Sequence, residues 1–358
     1  MQSELPGILV QREIASQPRA WSELLPDLVS QAKVACSLFE DIEEVVVTGC
    51  GSGLNAALFA APLLQAQTGI SVRAVPAAEC SSLPDCVLVP SRRTLAILFS
   101  RSGQTTEVLE ALGDLQKRDV RTIGVTCAPD SPLARRSEAR IVLAAVAEQA
   151  IVTTRSLTGM LLAAQVLAAL VSRDQAYLSE LELLPARCQA QMEGCQRLGG
   201  EIGGRSDLGA FAFVGSGPFF GLAREGQLKV KETTLLPADA YPVLDYRHGP
   251  QSTVNPHVLI VTLLSDRGRK KEERFLKDMK SLGGTVLALC DQASSDLRSY
   301  VDYFLEVGPG LGERARGPLY MPVIQMIAVT RAVALGLDPD RPRNLSYWID
   351  TSGETADQ

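Results

Sequence analysis

The residues best equipped for chemistry lie in one short run, Ser100-Arg101-Ser102-Gly103-Gln104-Thr105-Thr106. It follows the apolar stretch Leu95–Phe99 and precedes a helical pattern over Thr105–Lys117. A helix start presents backbone N–H groups and the positive end of the macrodipole. Ser100, Ser102, Thr105 and Thr106 add hydroxyl donors there, and Gly103 lets the backbone approach a ligand. A single hydroxyl would suffice to cap a helix. Four of them around a glycine predict an anion site suited to a phosphate monoester.

Other groups could do proton chemistry. Glu225, Lys229 and Glu232 recur at i, i+4 and i+7, so a helix places them on one face. From spacing alone, the simplest reading of that face is a solvated ion pair. His248, in Tyr246-Arg247-His248-Gly249-Pro250, is one of only two histidines and sits on a turn. A loop histidine can exchange protons near neutral pH. His257, after Asn255-Pro256, reads as structural. Gly51-Ser52-Gly53-Leu54-Asn55-Ala56 matches the dinucleotide pattern G-x-G-x-x-A. That pattern asks for an acidic residue at the end of the next strand. Val72-Arg73-Ala74-Val75-Pro76 offers none, so no nicotinamide cofactor is expected, and Ser52 is left as a hydroxyl lining a ligand site.

The elements that must position these residues alternate. Apolar runs at Val45–Thr48, Val72–Val75, Leu95–Phe99, Thr122–Thr126 and Ile141–Leu143 predict buried strands, with helices over Asn55–Thr68 and Thr105–Lys117 between them. Continuous apolar strands separated by helices predict a parallel sheet covered on both faces, a doubly wound α/β domain. The pattern restarts with strands at Ala210–Val214, Val258–Leu264, Thr285–Leu289 and Tyr303–Val307, after a mostly helical segment from Leu157 to Arg205. Each half opens on a strand and a Gly-x-Gly turn, Gly49-Cys50-Gly51 and Gly215-Ser216-Gly217, which suggests a duplicated domain.

A chain of 358 residues accommodates about two domains. Its net charge of −6, with both signs interspersed and 5% aromatic residues, argues against a nucleic-acid partner. The segment from Met1 to Val10 has no basic region followed by an apolar core, so no signal peptide is expected there. Leu157–Val171 is too short to span a membrane and predicts a buried helix. None of the eight cysteines forms a C-x-x-C pair and neither histidine has a cysteine nearby, so no metal site is expected. Reduced, mostly buried thiols in a cytoplasmic protein fit this pattern.

Together, S-x-S-G-x-[ST] at Ser100–Thr105, Leu228-Lys229-Val230-Lys231-Glu232 and His248-Gly249-Pro250 resemble the sugar isomerase (SIS) family with two tandem SIS domains. The similarity extends to the isomerase half of glucosamine-6-phosphate synthase and to the tagatose/galactosamine-6-phosphate isomerase-deaminase group. The early run Glu13-Ile14-Ala15-Ser16-Gln17-Pro18-Arg19-Ala20-Trp21 resembles the leader of the latter group. The resemblance implies a helical leader over 1–40, a first SIS domain over 41–175, a connector over 176–205, a second SIS domain over 206–340 and a tail over 341–358 near the active site. It implies that Ser100, Ser102 and Thr105 bind the phosphate of a hexose or hexosamine 6-phosphate, with Arg101 and Ser52 close by. Gly51, Glu148, Ile151 and Thr153 would line the sugar. Glu232 would be the base moving a proton between C1 and C2, with Lys229 beside it. His248 would open the sugar ring, reaching across a homodimer from the neighbouring subunit. Neither metal nor cofactor is implied.

Three departures from the synthase accompany the resemblance. Its Schiff-base lysine, two residues after a Pro-Arg-Asn-Leu run, is matched here by Tyr347. A phosphate serine of its first glycine loop is matched by Gly53, and no nucleophilic cysteine stands at position two, so no glutaminase domain is expected. The expected activity is aldose–ketose isomerisation or amino-sugar-6-phosphate deamination. A deglycase of phosphorylated Amadori compounds and a non-catalytic phosphosugar sensor are the alternatives.

Overall fold

The computed structural model describes residues 5–348. Ten strands form two five-stranded sheets. The first contains β1 (Glu44–Gly49), β2 (Ser71–Pro76), β3 (Thr94–Phe99), β4 (Arg121–Thr126) and β5 (Ala139–Val142) in the order β2-β1-β3-β4-β5. The second contains β6 (Ala210–Gly215), β7 (Ala238–Tyr241), β8 (Val258–Leu263), β9 (Thr285–Cys290) and β10 (Tyr303–Glu306) in the order β10-β9-β8-β6-β7. Every pairing is parallel. Numbered within its own repeat, each sheet runs 2-1-3-4-5, so the fold is the expected α/β class with a duplicated, doubly wound domain.

The central strands explain themselves. All six residues of β1, β3, β8 and β9 are buried, as helices on both faces require. β7 escaped the sequence reading. Ala238-Asp239-Ala240-Tyr241 has no β-branched residue and only Ala238 is buried, because it is a sheet edge paired to β6 alone. The predicted buried helix is Arg155–Val171, and no helix among the described residues is long and apolar enough to cross a membrane.

The chain divides into two compact units. One holds Arg19–Gln149, Arg155–Glu182 and the chain from Ser346 onward, and so contains the first sheet. The other holds the chain up to Pro18, Ala150–Thr154 and Leu183–Leu345, and contains the second. Parts of the expected leader and tail, residues 1–4 and 349–358, lie outside the described residues.

In each sheet the chain reverses direction of build between the first and third strands of the repeat. Ligands of open α/β sheets bind at the carboxyl ends of strands at such a point. In the first sheet those ends are Gly49 and Phe99, which are register partners. The Gly51 turn and the Ser100 loop therefore emerge side by side.

Candidate active site

In the first-sheet unit, Gly51 caps the helix Ser52–Thr68 with φ of 53° and ψ of −122°, a conformation natural to glycine. Ser52 opens that helix and is buried. Gly53 packs against β3: a Cβ there would lie 2.8 Å from the Phe99 carbonyl oxygen. Position 53 thus has no room for a side chain, which gives a steric reason for the missing serine.

The Ser100 loop spans from β3 to the helix Thr106–Gln116. Ser100 and Ser102 are buried. The hydroxyls of Ser100 and Thr105 lie 3.0 Å apart. Ser100 Oγ accepts from the Gly103 N–H at 3.0 Å, and Ser102 Oγ accepts from the Gln104 N–H at 3.1 Å. Gly103 has φ of +63°, and a Cβ on it would lie 2.1 Å from Ser131 Oγ. Only glycine fits this point of the loop.

Arg101 leaves the loop on the other side. Its guanidinium lies 3.9 Å from the ring centroid of Tyr347, donates to the Tyr347 carbonyl at 2.7 Å and stands 3.4 Å from Glu148 Oε1. The Tyr347 hydroxyl donates to the Glu148 carbonyl oxygen at 2.8 Å. The Glu148 carboxylate also accepts from the Ser156 hydroxyl and, at 3.0 Å, from the Arg155 N–H. A carboxylate at the start of the helix Arg155–Val171 complements its dipole. Glu148 is therefore a buried support for Arg101 and for that helix. Ile151 and Thr153, expected beside Glu148, are half-buried and belong to the other unit.

In the second-sheet unit, the helix Pro218–Thr234 carries Glu225, Lys229 and Glu232. Lys229 Nζ lies 2.6 Å from Glu232 Oε2 and 3.3 Å from Glu225 Oε1. The reading as a solvated face is corrected: Glu225 and Lys229 are fully buried, and only the Glu232 side chain retains 20% exposure. Helical spacing reveals which residues share a face, but not whether another element covers it. Burial alone would lower the Lys229 pKa, but the two carboxylates outweigh it and hold the ammonium above its ordinary range. His248 is exposed, just after the single turn Asp245–Arg247.

The SIS domain model matches residues 38–170 and 210–333. The chain belongs to the SIS domain family. Each matched SIS segment carries one five-stranded sheet, and the Ser100 loop falls in the first. Glutamine–fructose-6-phosphate aminotransferase (isomerizing) of Sulfurisphaera tokodaii is 28% identical to this SIS chain over 346 residues, covering 94% of the chain and 56% of that protein. The Thermus thermophilus enzyme of the same name is 30% identical, covering 86% and 52%. The chain thus spans about half the length of the curated relatives it matches. Among solved structures, glucosamine-6-phosphate deaminase of Thermotoga maritima superposes with a TM-score of 0.80 at 30% identity, covering 94% of this chain and 98% of that one. Tagatose-6-phosphate ketose/aldose isomerase of Escherichia coli shares the fold, with a TM-score of 0.83 at 23% identity, covering 94% and 96%.

Some site features had no clear signal in the sequence. The stack of Tyr347 on Arg101 joins residues 246 positions apart, with nothing local to announce it. Glu272 did leave a trace: it occupies an apolar-stripe position with Phe275, Leu276 and Met279. None of the eight cysteines is in a disulfide, and five are buried. Among the described residues, no group of three or more His, Cys, Asp or Glu is placed to hold a metal ion.

Proposed function

We propose that this chain is a phosphosugar isomerase or amino-sugar-6-phosphate deaminase. It would move a proton between C1 and C2 of a hexose or hexosamine 6-phosphate through an enediol or enolamine; with a hexosamine the resulting C2 imine is hydrolysed by water, which leaves the ketose 6-phosphate and releases ammonia. The observation that carries this reading is the Ser100–Thr106 loop. The buried Ser100 and Ser102 and the half-buried Thr105 place hydroxyls beside a left-handed glycine at the carboxyl edge of a parallel sheet, ahead of a helix start. The names of the relatives support it, since each printed name concerns a hexose or hexosamine 6-phosphate.

In this reading Ser100, Ser102 and Thr105 hold the phosphate, with Ser52 and the Gly51 turn alongside and Arg101 supplying positive charge. Glu148 acts by steadying Arg101. Glu232 is the base: it takes the proton from the carbon next to the carbonyl and returns it to the neighbouring carbon. Such a positioned base contributes roughly 10²–10⁴-fold in rate. Lys229 orients the Glu232 carboxylate through their ion pair. His248, exposed on its turn, opens the ring of a sugar bound by the partner in a cytoplasmic homodimer. Ile151 and Thr153 line the sugar, and the described part of the tail, 341–348, borders the site. No cofactor and no nucleic acid take part.

A panel of hexose, hexosamine and fructosamine 6-phosphates, followed by proton NMR, tests the reading. Turnover of a hexose or hexosamine 6-phosphate is expected. Turnover of fructosamine 6-phosphates alone would make the chain a deglycase, and binding without turnover would make it a sensor.

A further inference from the structure

The two repeats can be compared residue by residue. Strands β3, β4 and β5 begin at Thr94, Arg121 and Ala139, and β8, β9 and β10 begin at Val258, Thr285 and Tyr303, a constant offset of 164 residues. The helices that follow the loops keep the same offset: buried Val108, Ala111, Leu112 and Leu115 match buried Glu272, Phe275, Leu276 and Met279. No insertion separates the two loops. Ser100 therefore corresponds to Leu264, Ser102 to Asp266 and Thr105 to Arg269. The second repeat has lost each of the three hydroxyls assigned to phosphate.

A carboxylate occupies that loop instead. Val108, an ordinary core residue of the first repeat, corresponds to Glu272, which is only 2% exposed. Glu272 Oε2 accepts from the Ser265 N–H at 2.6 Å. Its Oε1 accepts from the hydroxyls of Ser265 and Ser216, each at 2.9 Å. Ser216 lies in the Gly215-Ser216-Gly217 turn, whose cap geometry (φ 56°, ψ −129°) repeats that of Gly51. The next backbone N–H, of Asp266, donates to Glu313 Oε2 at 2.6 Å. Asp266 is itself gripped by the buried Arg316, at 2.6 and 2.9 Å. Burial pushes the Glu272 carboxyl up, and the donors from Ser265 and Ser216 partly offset this. Carboxylate oxygens ligated by loop N–H and serine hydroxyls at a helix start have the partners that phosphate oxygens have in such a loop.

We propose that the second-repeat loop is an anion site with a built-in occupant: Glu272 and Glu313 stand where a ligand's anionic oxygens would, so the chain takes one phosphate, at the first repeat. The stoichiometry rests on the phosphosugar reading above, whereas the internal occupancy does not.

Exchanging residues between the repeats tests this, with inorganic phosphate as the probe in isothermal titration calorimetry of the full chain. Wild type is expected to bind one equivalent per chain. Ser102→Asp, which installs the second-repeat residue in the first loop, is expected to bind none. Glu272→Val combined with Asp266→Ser and Glu313→Gln, which removes the carboxylates from the second loop and restores the first-repeat residues at two of those positions, is expected to gain a second, weaker equivalent while retaining the first. Circular dichroism and the retained first equivalent report that it is folded; if it is not, Glu272→Ala, which also vacates the position, replaces Glu272→Val in the same combination with the same expectation. Two equivalents in wild type, or one surviving in Ser102→Asp, would overturn the proposal. So would a folded combined variant that still binds only one. No binding by wild type with one equivalent gained in the combined variant would sink the phosphosugar reading and leave the internal occupant standing.

Discussion

Lys229 and Glu232 form an ion pair of 2.6 Å one helical turn apart, and the lysine end of that pair is fully buried. The ammonium also answers Glu225, which is buried without exposure. Removing a single member of a buried pair leaves an uncompensated charge and costs about 3–5 kcal/mol. Lys229→Met should therefore lower the unfolding free energy by about that amount in urea denaturation. Adding Glu225→Gln should restore part of the loss, so the two changes should not be additive.

The Arg101–Tyr347 stack gives a second expectation. A cation–π contact contributes about 0.5–2 kcal/mol, depending on how far it is desolvated. Tyr347→Ala should raise KM for a phosphosugar about tenfold and leave kcat nearly unchanged. Tyr347→Phe keeps the ring but loses the hydroxyl bond to the Glu148 carbonyl, and should fall between the two. An equal loss in kcat would show that Tyr347 touches the reacting atoms.

Gly103 should tolerate no side chain. Its φ of +63° disfavours other residues, and a Cβ would run into Ser131 Oγ at 2.1 Å. The left-handed conformation alone costs about 1–2 kcal/mol. Gly103→Ala is expected to weaken phosphate binding at least tenfold in titration calorimetry, with a smaller effect on the global unfolding midpoint.

How much of this was legible follows from where the information sits. β1, β3, β8 and β9 are buried throughout, so they read as unbroken apolar runs, and the Ser100 loop stands out because four hydroxyl residues crowd into seven positions. The 3.6-residue period was enough to put Glu225, Lys229 and Glu232 on one face. Whether that face was wet depended on elements distant in sequence. The same holds for Tyr347 on Arg101 and for Glu313 on the Asp266 N–H, contacts spanning 246 and 47 residues. β7 was missed for the opposite reason: an edge strand needs little apolar character, so it leaves little pattern.

Stability should fall on the alkaline side. Burial pushes the Cys50 and Cys290 thiols up to about 11 and Cys195 up to about 12. For Cys50, repulsion from Glu107 adds to burial. A group whose pKa is higher folded than unfolded holds its proton more tightly in the native state. Its contribution is fully present below the unfolded value, near 8.5, and is lost as pH rises through the folded one. The urea midpoint should be level from pH 7 to 8 and decline steadily from about pH 9 to pH 11.

The central claim is that Glu232 moves a proton between C1 and C2. The most direct measurement is solvent exchange: wild type and Glu232→Gln incubated with an accepted hexose or hexosamine 6-phosphate in deuterated water and followed by proton NMR. Wild type should place deuterium at C1 or C2. Glu232→Gln should lose at least about 10²-fold in that exchange while still binding the sugar phosphate. Exchange at an unchanged rate in Glu232→Gln would contradict the assignment of the base.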